Sequence, residues 1–311
     1  MIIPFIRKTC KINENTWMFD CLIYNMKEQM ALFVLENNGK TALIDTGTSS
    51  EADSLLNYLQ NIGIDHLDYI FSTHGHVDHI GGVKRLSLRF PDAKIVVSKF
   101  YQNLPEKELA KKKSDLVEYH EYLVKNLKNR VIYVGEGDII SLDDLKLEIY
   151  TTPGHTPEHI AVLDRKNMNL FPGDSIGGHH LGSGFSRPAA YPPYFNHKSY
   201  SKTVKKLSQI ENLKSVSLAH FGVATGPQVQ EVFKISEDVF KAYKDTVVES
   251  YQKYNGDLNS IITALLDKFG RSPNEIKDNR PDSLIFRILG GISIGFINAL
   301  DLKSKFKVDL K

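Results

Sequence analysis

Apolar residues in the first part of the chain recur with the spacing of strands and of helices in turn. The runs 31–35 and 41–44 flank Asn37-Asn38-Gly39-Lys40, and such a turn between two apolar runs predicts a β-hairpin. Leucines three and four positions apart over residues 50–62 predict an amphipathic helix, with Ser49 or Ser50 as its N-cap. The same criteria predict strands at 69–72, 94–98, 131–134 and 145–150, and helices at 80–89 and 105–129.

The second part of the chain changes from mixed patterns to helices. Residues 175–196 form a long Gly-, Pro- and aromatic-rich loop, and loops of this length usually serve a function. After Pro227 strand signals are few, and Gly290-Gly291 should weaken and divide the last helix. We therefore expect an α/β domain over residues 1–226 and a helical extension over 227–311. The predicted elements are a hairpin over 160–163 and 168–171, a strand at 215–219, and helices at 198–211, 227–253, 257–269 and 281–300.

The composition says more about the cellular compartment of the protein than about its chemistry. The 311 residues suit one large α/β domain with an appendage, and a net charge of +2 gives no sign of a polyanionic partner. Cys10 and Cys21 are the only cysteines, so we expect free thiols in the cytoplasm, with a single bridge as the alternative. Early basic residues interrupt any apolar leader, so we expect no signal peptide.

Charged and apolar stretches indicate which partners to expect. Lysines between residues 107 and 130 are interspersed with acidic residues, which favours a solvated helix face over a nucleic-acid site. The segment 281–300 is apolar nearly all round, so it forms either buried core or a subunit interface. We expect a small-molecule substrate, no nucleic acid, no membrane span, and a homodimer through these C-terminal helices if the apolar surface is an interface.

Ligand-type side chains are concentrated in one short stretch, Thr73-His74-Gly75-His76-Val77-Asp78-His79. The apolar run 67–71 precedes it, which predicts a buried strand that ends in a loop, with a helix starting near Ile80. A loop at the end of a strand is a rigid base for metal ligands. The alternative is a polar loop with surface histidines, but the density of these residues favours a metal site.

This stretch resembles the metal signature of the metallo-β-lactamase-fold hydrolases. The other landmarks of that family occur in the expected order across residues 41–222: Asp45-Thr46-Gly47, Pro153-Gly154-His155-Thr156, Gly173-Asp174 and a last histidine, His220. The resemblance implies a four-layer αβ/βα sandwich with the metal site at one edge between two sheets. It also implies a C-terminal helical extension, which roofs the active site in several branches of the family.

The ligand set follows from the same resemblance. The family pattern assigns His74, His76 and His155 to a first metal and Asp78, His79 and His220 to a second, with Asp174 bridging both. Asp78 and Asp174 are accordingly the catalytic carboxylates, and Asp45 orients the ligand loop. Imidazoles and carboxylates suit two zinc ions, although iron or manganese accept the same donors. Two such ions lower the pKa of a shared water to roughly 7.

The long loop after Asp174 is the expected source of substrate contacts. Its candidates are His179, His180, Tyr191 and Tyr194, and a Tyr or His there could stabilise an oxyanion or protonate a leaving group. The alternative is that its aromatic residues only pack the loop down. For His159 we expect a structural or ligand-orienting role.

The general build resembles glyoxalase-II-like and lactonase-like branches. It predicts a dinuclear metal-dependent hydrolase that attacks a thioester or lactone with a metal-bound hydroxide. The Asn-Pro-Lys/Arg-x-Arg clamp of glyoxalase II is missing from the sequence, so a glutathione thioester is not the expected substrate. Three alternatives stay open, namely a phosphodiesterase on a small phosphodiester, a mononuclear-iron dioxygenase, and a non-catalytic metal-bound ligand sensor.

Overall fold

The computed structural model describes residues 5–104, 114–180, 185–269 and 283–306, which fall into two compact units. The sandwich unit comprises residues 1–152, 158–173 and 211–226, and the helical unit comprises 153–157, 174–210 and 227–311. Each unit is therefore discontinuous in sequence. The domain boundary predicted at residue 226 stays a prediction.

The first sheet of the sandwich unit has seven strands in sequence order. Its first four strands pair antiparallel, and the rest of the sheet continues in parallel from the fourth. Asn38 and Gly39 take positive φ values of 50° and 76° in the turn between the third and fourth strands, so the Asn-Gly hairpin is confirmed. The strands are β1 Cys10–Lys11, β2 Thr16–Asp20, β3 Ala31–Asn37, β4 Lys40–Ile44, β5 Tyr69–Phe71, β6 Lys94–Ser98 and β7 Val131–Val134.

The six strands of the second sheet of this unit are β8 Ile139–Leu142, β9 Leu145–Thr151, β10 Ile160–Asp164, β11 Asn169–Phe171, β14 Ser215–Ser217 and β15 Val223–Thr225. Their order in the sheet is β15-β14-β11-β10-β9-β8. The predicted hairpin of β10 and β11 is confirmed. Phe33 and Phe171, one from each sheet, lie with ring centroids 5.3 Å apart in a shared apolar core. The predicted α/β architecture is thereby confirmed.

Helices of the sandwich unit are α1 Ala52–Asn61, α2 Val77–Ile80, α3 Val83–Arg89 and α4 Asp115–Asn126. Leu55 and Leu59 bury the apolar face of α1 as predicted. The predicted serine cap is wrong, because Glu51 is the N-cap and its side chain makes no capping hydrogen bond. The prediction for 105–129 is confirmed over α4, and 105–113 lies outside the described residues.

The helix predicted from Ile80 differs in the structure. It begins earlier, at Val77, ends after one turn, and α3 follows separately. The break occurs because the Gly82 N–H donates to the Gly47 carbonyl at 3.1 Å instead of continuing the helix ladder. Asp78 and His79 consequently stand on a helical turn, which fixes them more firmly than a loop would.

The helical unit holds α5 His197–Ser208, α6 Gln228–Lys253, α7 Leu258–Phe269, α8 Leu284–Ala299 and α9 Leu302–Lys305. It also holds a two-stranded sheet of β12 Gly178–His180 and β13 Phe185–Arg187. The prediction of a loop over all of 175–196 was therefore wrong at these two strands. Both strands are three residues long, too short for a pattern of alternation to reveal them.

Helix α8 runs without interruption through Gly290-Gly291, so the expected division there was wrong. Glycine serves close packing instead, because a Cβ on Gly295 would lie 1.9 Å from the Ala190 carbonyl oxygen. Most apolar side chains of α8 are buried, with Leu284 and Ile294 as exposed exceptions. Among the described helices, none combines the length and apolar character needed to cross a membrane.

Candidate metal centre

The first residues of the site lie just after the ends of two neighbouring parallel strands. Asp45 follows β4 and Thr73 follows β5, and both are buried. Asp45 Oδ1 accepts the Thr73 N–H at 2.8 Å, and its Oδ2 accepts the Thr73 hydroxyl at 2.9 Å. The same Oδ2 lies 2.7 Å from His79 Nδ1. One carboxylate thus joins the start of the histidine loop to a ring on α2, the placement expected of a residue that orients ligands.

Asp78, His79 and His220 form a cluster whose ligand atoms all lie within 4.8 Å of one another. Asp78 Oδ2 lies 3.8 Å from His79 Nε2 and 3.9 Å from His220 Nε2. His220 Nδ1 lies 3.1 Å from the carbonyl oxygen of Gln29. Carboxylate and carbonyl oxygens only accept hydrogen bonds, so both rings carry the proton on Nδ1 and turn the lone pair of Nε2 toward Asp78.

The donor set of this cluster fits a divalent cation. Two ligands of one tetrahedral zinc ion are about 3.4 Å apart, as follows from bond lengths of about 2.0–2.1 Å. The separations of 3.8 and 3.9 Å from Asp78 are too long for hydrogen bonds and near this spacing. Each histidine has its second nitrogen held by an oxygen, which is the usual arrangement around a metal-binding imidazole.

The other histidines of the loop lie side by side. His74 Nε2 is 3.0 Å from His76 Nδ1, and the two rings stand at 81° to each other with centroids 4.7 Å apart. His74 is fully buried and His76 is half-buried. Thr73 Oγ1 lies 3.2 Å from His74 Nδ1. The pair presents two imidazole nitrogens at one point, as a shared metal ion requires.

His155 and Asp174 lie together in the helical unit, both buried. His155 Nε2 is 3.4 Å from Asp174 Oδ2, and His155 Nδ1 is 2.7 Å from the carbonyl oxygen of Ala189. The carbonyl fixes the Nδ1–H tautomer and leaves Nε2 to face a carboxylate, as in the cluster around Asp78. The convergence of all seven predicted ligands on two ions stays a prediction.

The four candidate substrate residues differ in their burial and in the contacts they make. His179 is buried, and its Nε2 lies 2.8 Å from both the Ile176 carbonyl and the Ser236 hydroxyl, which favours the packing alternative. The side chain of His180 lies outside the described residues. Tyr191 and Tyr194 are half-buried, and the Tyr191 ring stands edge-on to His155 with centroids 6.2 Å apart. The substrate roles of all four stay predictions.

Arg187 belongs to this neighbourhood, although the sequence patterns did not single it out. Its side chain forms a hydrogen bond with Tyr191. Burial lowers the pKa of the Arg187 guanidinium, but Tyr191 and Asp174 outweigh that effect, so the pKa lies above its ordinary value. A single arginine in a Gly- and aromatic-rich stretch after Gly173-Asp174 was the available signal.

Glu158 and His159 are further residues beside the histidine loop. Glu158, which the sequence did not single out, is buried and accepts the N–H of Gly75 at 3.0 Å. His159 stacks on His74 with centroids 4.8 Å apart and an interplanar angle of 23°. The orienting role expected for His159 agrees with this placement.

Comparison with known proteins identifies a family. The family model described as "Metallo-beta-lactamase superfamily" matches residues 30–220. The metallo-beta-lactamase fold-containing protein ST1585 of Sulfurisphaera tokodaii is 30% identical over 214 residues, 66% of this chain and 77% of that protein. Hydroxyacylglutathione hydrolase 1 of Vibrio vulnificus is 25% identical over 224 residues, 70% of this chain and 74% of that protein.

A solved structure gives the same result for the fold. The crystal structure of ST1585 from Sulfolobus tokodaii superimposes with a TM-score of 0.56 at 22% identity and covers 96% of this chain and 98% of that one. At this identity the likeness concerns the fold alone. It confirms the predicted sandwich with C-terminal helices.

Proposed function

Since this chain belongs to the metallo-beta-lactamase superfamily and is a metal-dependent hydrolase of it, we propose that it cleaves a carbonyl ester, and specifically a thioester, with two divalent metal ions. The observation that carries the proposal is the cluster in which His79 and His220 both turn Nε2 toward Asp78. Relatives named hydroxyacylglutathione hydrolase, at 25% and 30% identity, favour a thioester over a lactone. Because the clamp for glutathione is missing from the sequence, the thiol part of the substrate is of another kind.

The seven predicted ligands divide between the two ions as the family pattern assigns them. His74, His76 and His155 would hold one ion, and Asp78, His79 and His220 would hold the other. Asp174 would serve both. When bound, two zinc ions supply a hydroxide near neutral pH and polarise the substrate carbonyl. The chain itself fixes the donors, since Asp45, Gln29 and Ala189 hold the second nitrogens of His79, His220 and His155.

Tyr191 is the proposed hydrogen-bond donor to the substrate. Its ring lies beside His155, and its side chain is held by Arg187. A phenol fixed in this way can donate to the oxygen on which negative charge develops during attack on a carbonyl. Arg187 keeps the Tyr191 side chain in place and adds positive charge near Asp174.

Metal analysis followed by a substrate panel tests the proposal. We expect about two zinc ions per chain in protein purified without a His-tag, and turnover of thioester chromogens above lactones and phosphodiesters. Asp174→Ala should lower the metal content and abolish turnover. Full activity with both ions retained in that variant contradicts the assignment of Asp174, and a wild-type protein without metal contradicts the whole proposal. One iron per chain with oxygen uptake indicates the dioxygenase alternative instead.

Removing one hydroxyl tests the role of Tyr191. Tyr191→Phe should lower kcat/KM for the thioester about 10²-fold with unchanged metal content, because one donor to the oxyanion is lost. Tyr133→Phe is the control, since Tyr133 is also half-buried but lies on β7 and is not among the candidate site residues. Equal kinetics in wild type and Tyr191→Phe would leave this hydroxyl without a part in the reaction.

We also propose a cytoplasmic location and a small-molecule substrate. Cys10 and Cys21 are both free thiols, which suits a reducing compartment.

A further inference from the structure

We propose that Glu158 is a positioning residue that sets the spacing of His74 and His76 and thereby the affinity of the first metal ion. The inference rests on the proposed function in one respect, the assignment of His74 and His76 as ligands of that ion. Glu158 follows the Pro153-Gly154-His155-Thr156 landmark but is not among the predicted ligands. Glu158 contacts the backbone between the two histidines rather than their rings.

The carboxylate of Glu158 holds the residue between the two ligands. Glu158 Oε1 accepts the N–H of Gly75 at 3.0 Å and lies 3.4 Å from the Tyr101 hydroxyl. Glu158 is 1% exposed, so water does not compete for these contacts. A hydrogen bond from an N–H to a carboxylate is about twice as strong as one between neutral groups. The peptide that joins His74 to Gly75 is therefore fixed in orientation.

Close packing around Gly75 leaves no room for a side chain at this position. A Cβ on Gly75 would lie 2.4 Å from the Tyr101 hydroxyl and 3.4 Å from Leu116 Cα. Tyr101 packs edge-on against Tyr119 with centroids 5.6 Å apart, and the Tyr119 hydroxyl lies 2.6 Å from Ser72 Oγ. Ser72 lies between β5 and the histidine loop, so the buried chain of contacts returns to the base of that loop.

His159, the next residue, supports the same pair from another side. Its ring stacks on His74 with centroids 4.8 Å apart, and its Nδ1 lies 2.7 Å from Thr152 Oγ1. Ile160 then donates its N–H to the Thr73 carbonyl at 2.9 Å. Three consecutive residues, 158–160, thus hold residues 73–75. The hydrogen bond from Gly75 to Glu158 acts directly between the two ligands.

Matched substitutions of Glu158 test this role by metal binding rather than by activity. Glu158→Gln keeps an oxygen that accepts the Gly75 N–H, whereas Glu158→Leu removes it at similar size. Glu158→Asp keeps the charge but is shorter by one methylene and cannot reach Gly75, and it guards against the case that Glu158→Leu fails to fold. Each metal-free variant is titrated with Zn²⁺, and the visible spectrum of its Co²⁺ form reports coordination.

We expect one of the two ions to bind about 10- to 100-fold more weakly in Glu158→Leu and Glu158→Asp, the usual cost of losing a partner that orients ligands. The other ion, held by Asp78, His79 and His220, should bind as in wild type. Glu158→Gln should restore the first ion to within about threefold of wild type, because the acceptor oxygen is kept.

Three outcomes contradict the inference. These are wild-type affinity in Glu158→Leu and Glu158→Asp, equal weakening of both ions, and failure of Glu158→Gln to restore the first ion. The test is independent of the proposed reaction. A wild-type protein that binds two ions but cleaves no thioester contradicts the proposed function and leaves the role of Glu158 intact, whereas unaltered binding in the variants of an active enzyme contradicts the inference alone.

Discussion

Asp45 makes three contacts with two residues of the site, and none of them is local in sequence. Its two oxygens accept the N–H and hydroxyl of Thr73, 28 positions later, and Oδ2 also faces Nδ1 of His79. A buried carboxylate with this many partners fixes the tautomer of His79 and the start of the ligand loop.

Asp45→Ala should weaken the ion proposed at Asp78, His79 and His220 about 10- to 100-fold, because the His79 ring loses its orientation. It should also lower the free energy of unfolding by about 1–3 kcal/mol, since buried donors on Thr73 lose their acceptor. Zn²⁺ titration and urea unfolding measure the two effects. Asp53→Ala is the control, because Asp53 is exposed and its ion pair with Arg85 lies on the surface. Equal metal affinity in Asp45→Ala and wild type would show that Asp45 does not orient His79.

Asp68 gives a prediction for the pH dependence of stability. Burial raises the pKa of Asp68, but hydrogen bonds from the Thr41 N–H and from Lys40 outweigh it, so the pKa is lowered. A lowered pKa in the folded state stabilises the fold above the unfolded pKa, about 3.9, and this stabilisation is lost as the pH falls below it.

Asp68→Asn should therefore cost about 1 kcal/mol of unfolding free energy at pH 7 and less near pH 3. Urea unfolding of both proteins at the two pH values measures the difference. A cost that is the same at both pH values would mean that the charge of Asp68 contributes nothing.

At the scale of elements, the periodic segments were predicted well and the short or irregular ones were not. The β3–β4 hairpin, α1 and the three long C-terminal helices are confirmed near the predicted bounds. The β12–β13 hairpin was missed, and α2 was predicted to start at Ile80 instead of Val77. Helix α8 shows why glycine can mislead, because Gly295 allows close packing against Ala190 and does not mark a break in the helix.

Two glycines of α8 give matched substitutions. Gly295→Ala should destabilise the protein by about 1–3 kcal/mol, because the Cβ meets the Ala190 carbonyl oxygen at 1.9 Å and the backbone has to shift. Gly290→Ala should be neutral or stabilising by up to about 1 kcal/mol, since its nearest neighbour is Ile262 Cδ1 at 3.3 Å and alanine favours helix. Thermal unfolding compares the two variants. Equal melting temperatures would mean that the contact with Ala190 does not require glycine.

At the scale of the whole molecule, metal binding should contribute strongly to stability. The proposed ligands run from His74 to His220, so the unfolded chain does not present them together. A ligand that binds only the folded state adds about 4 kcal/mol at a concentration a thousandfold above its Kd. Removal of metal by a chelator should lower Tm, and added Zn²⁺ should restore it. The same Tm with and without metal would contradict a site formed by folding.

The predicted homodimer through the C-terminal helices also belongs to this scale. Most of the apolar side chains of α8 are buried, whereas Leu284 and Ile294 are 39% and 36% exposed. If this surface forms the dimer, Ile294→Lys should convert dimers to monomers in light scattering without loss of helix content by circular dichroism. A wild-type protein that is monomeric at every concentration would contradict the prediction.

The sequence by itself determined the long elements, the family and the candidate ligands. Each of these depends on residues that are neighbours along the chain: a turn of four residues, a period of 3.6, or a motif such as His74-Gly75-His76-Val77-Asp78-His79. Local patterns suffice because backbone geometry fixes which near neighbours share a face. The order of the five landmarks along the chain also identified the family. None of these motifs shows by itself which other motif it contacts in the folded protein.

Only the tertiary structure decided which atoms meet. It determined which ring nitrogen of His79 and of His220 faces the carboxylate of Asp78. It also placed Glu158 against Gly75, 83 positions away in sequence, and Gly295 against Ala190. The physical reason is that such contacts join segments far apart in the chain. The pattern of apolar residues within a segment does not indicate which distant residue that segment will contact. A buried carboxylate and a surface one are the same letter in the sequence, and burial decides which of them positions a metal site.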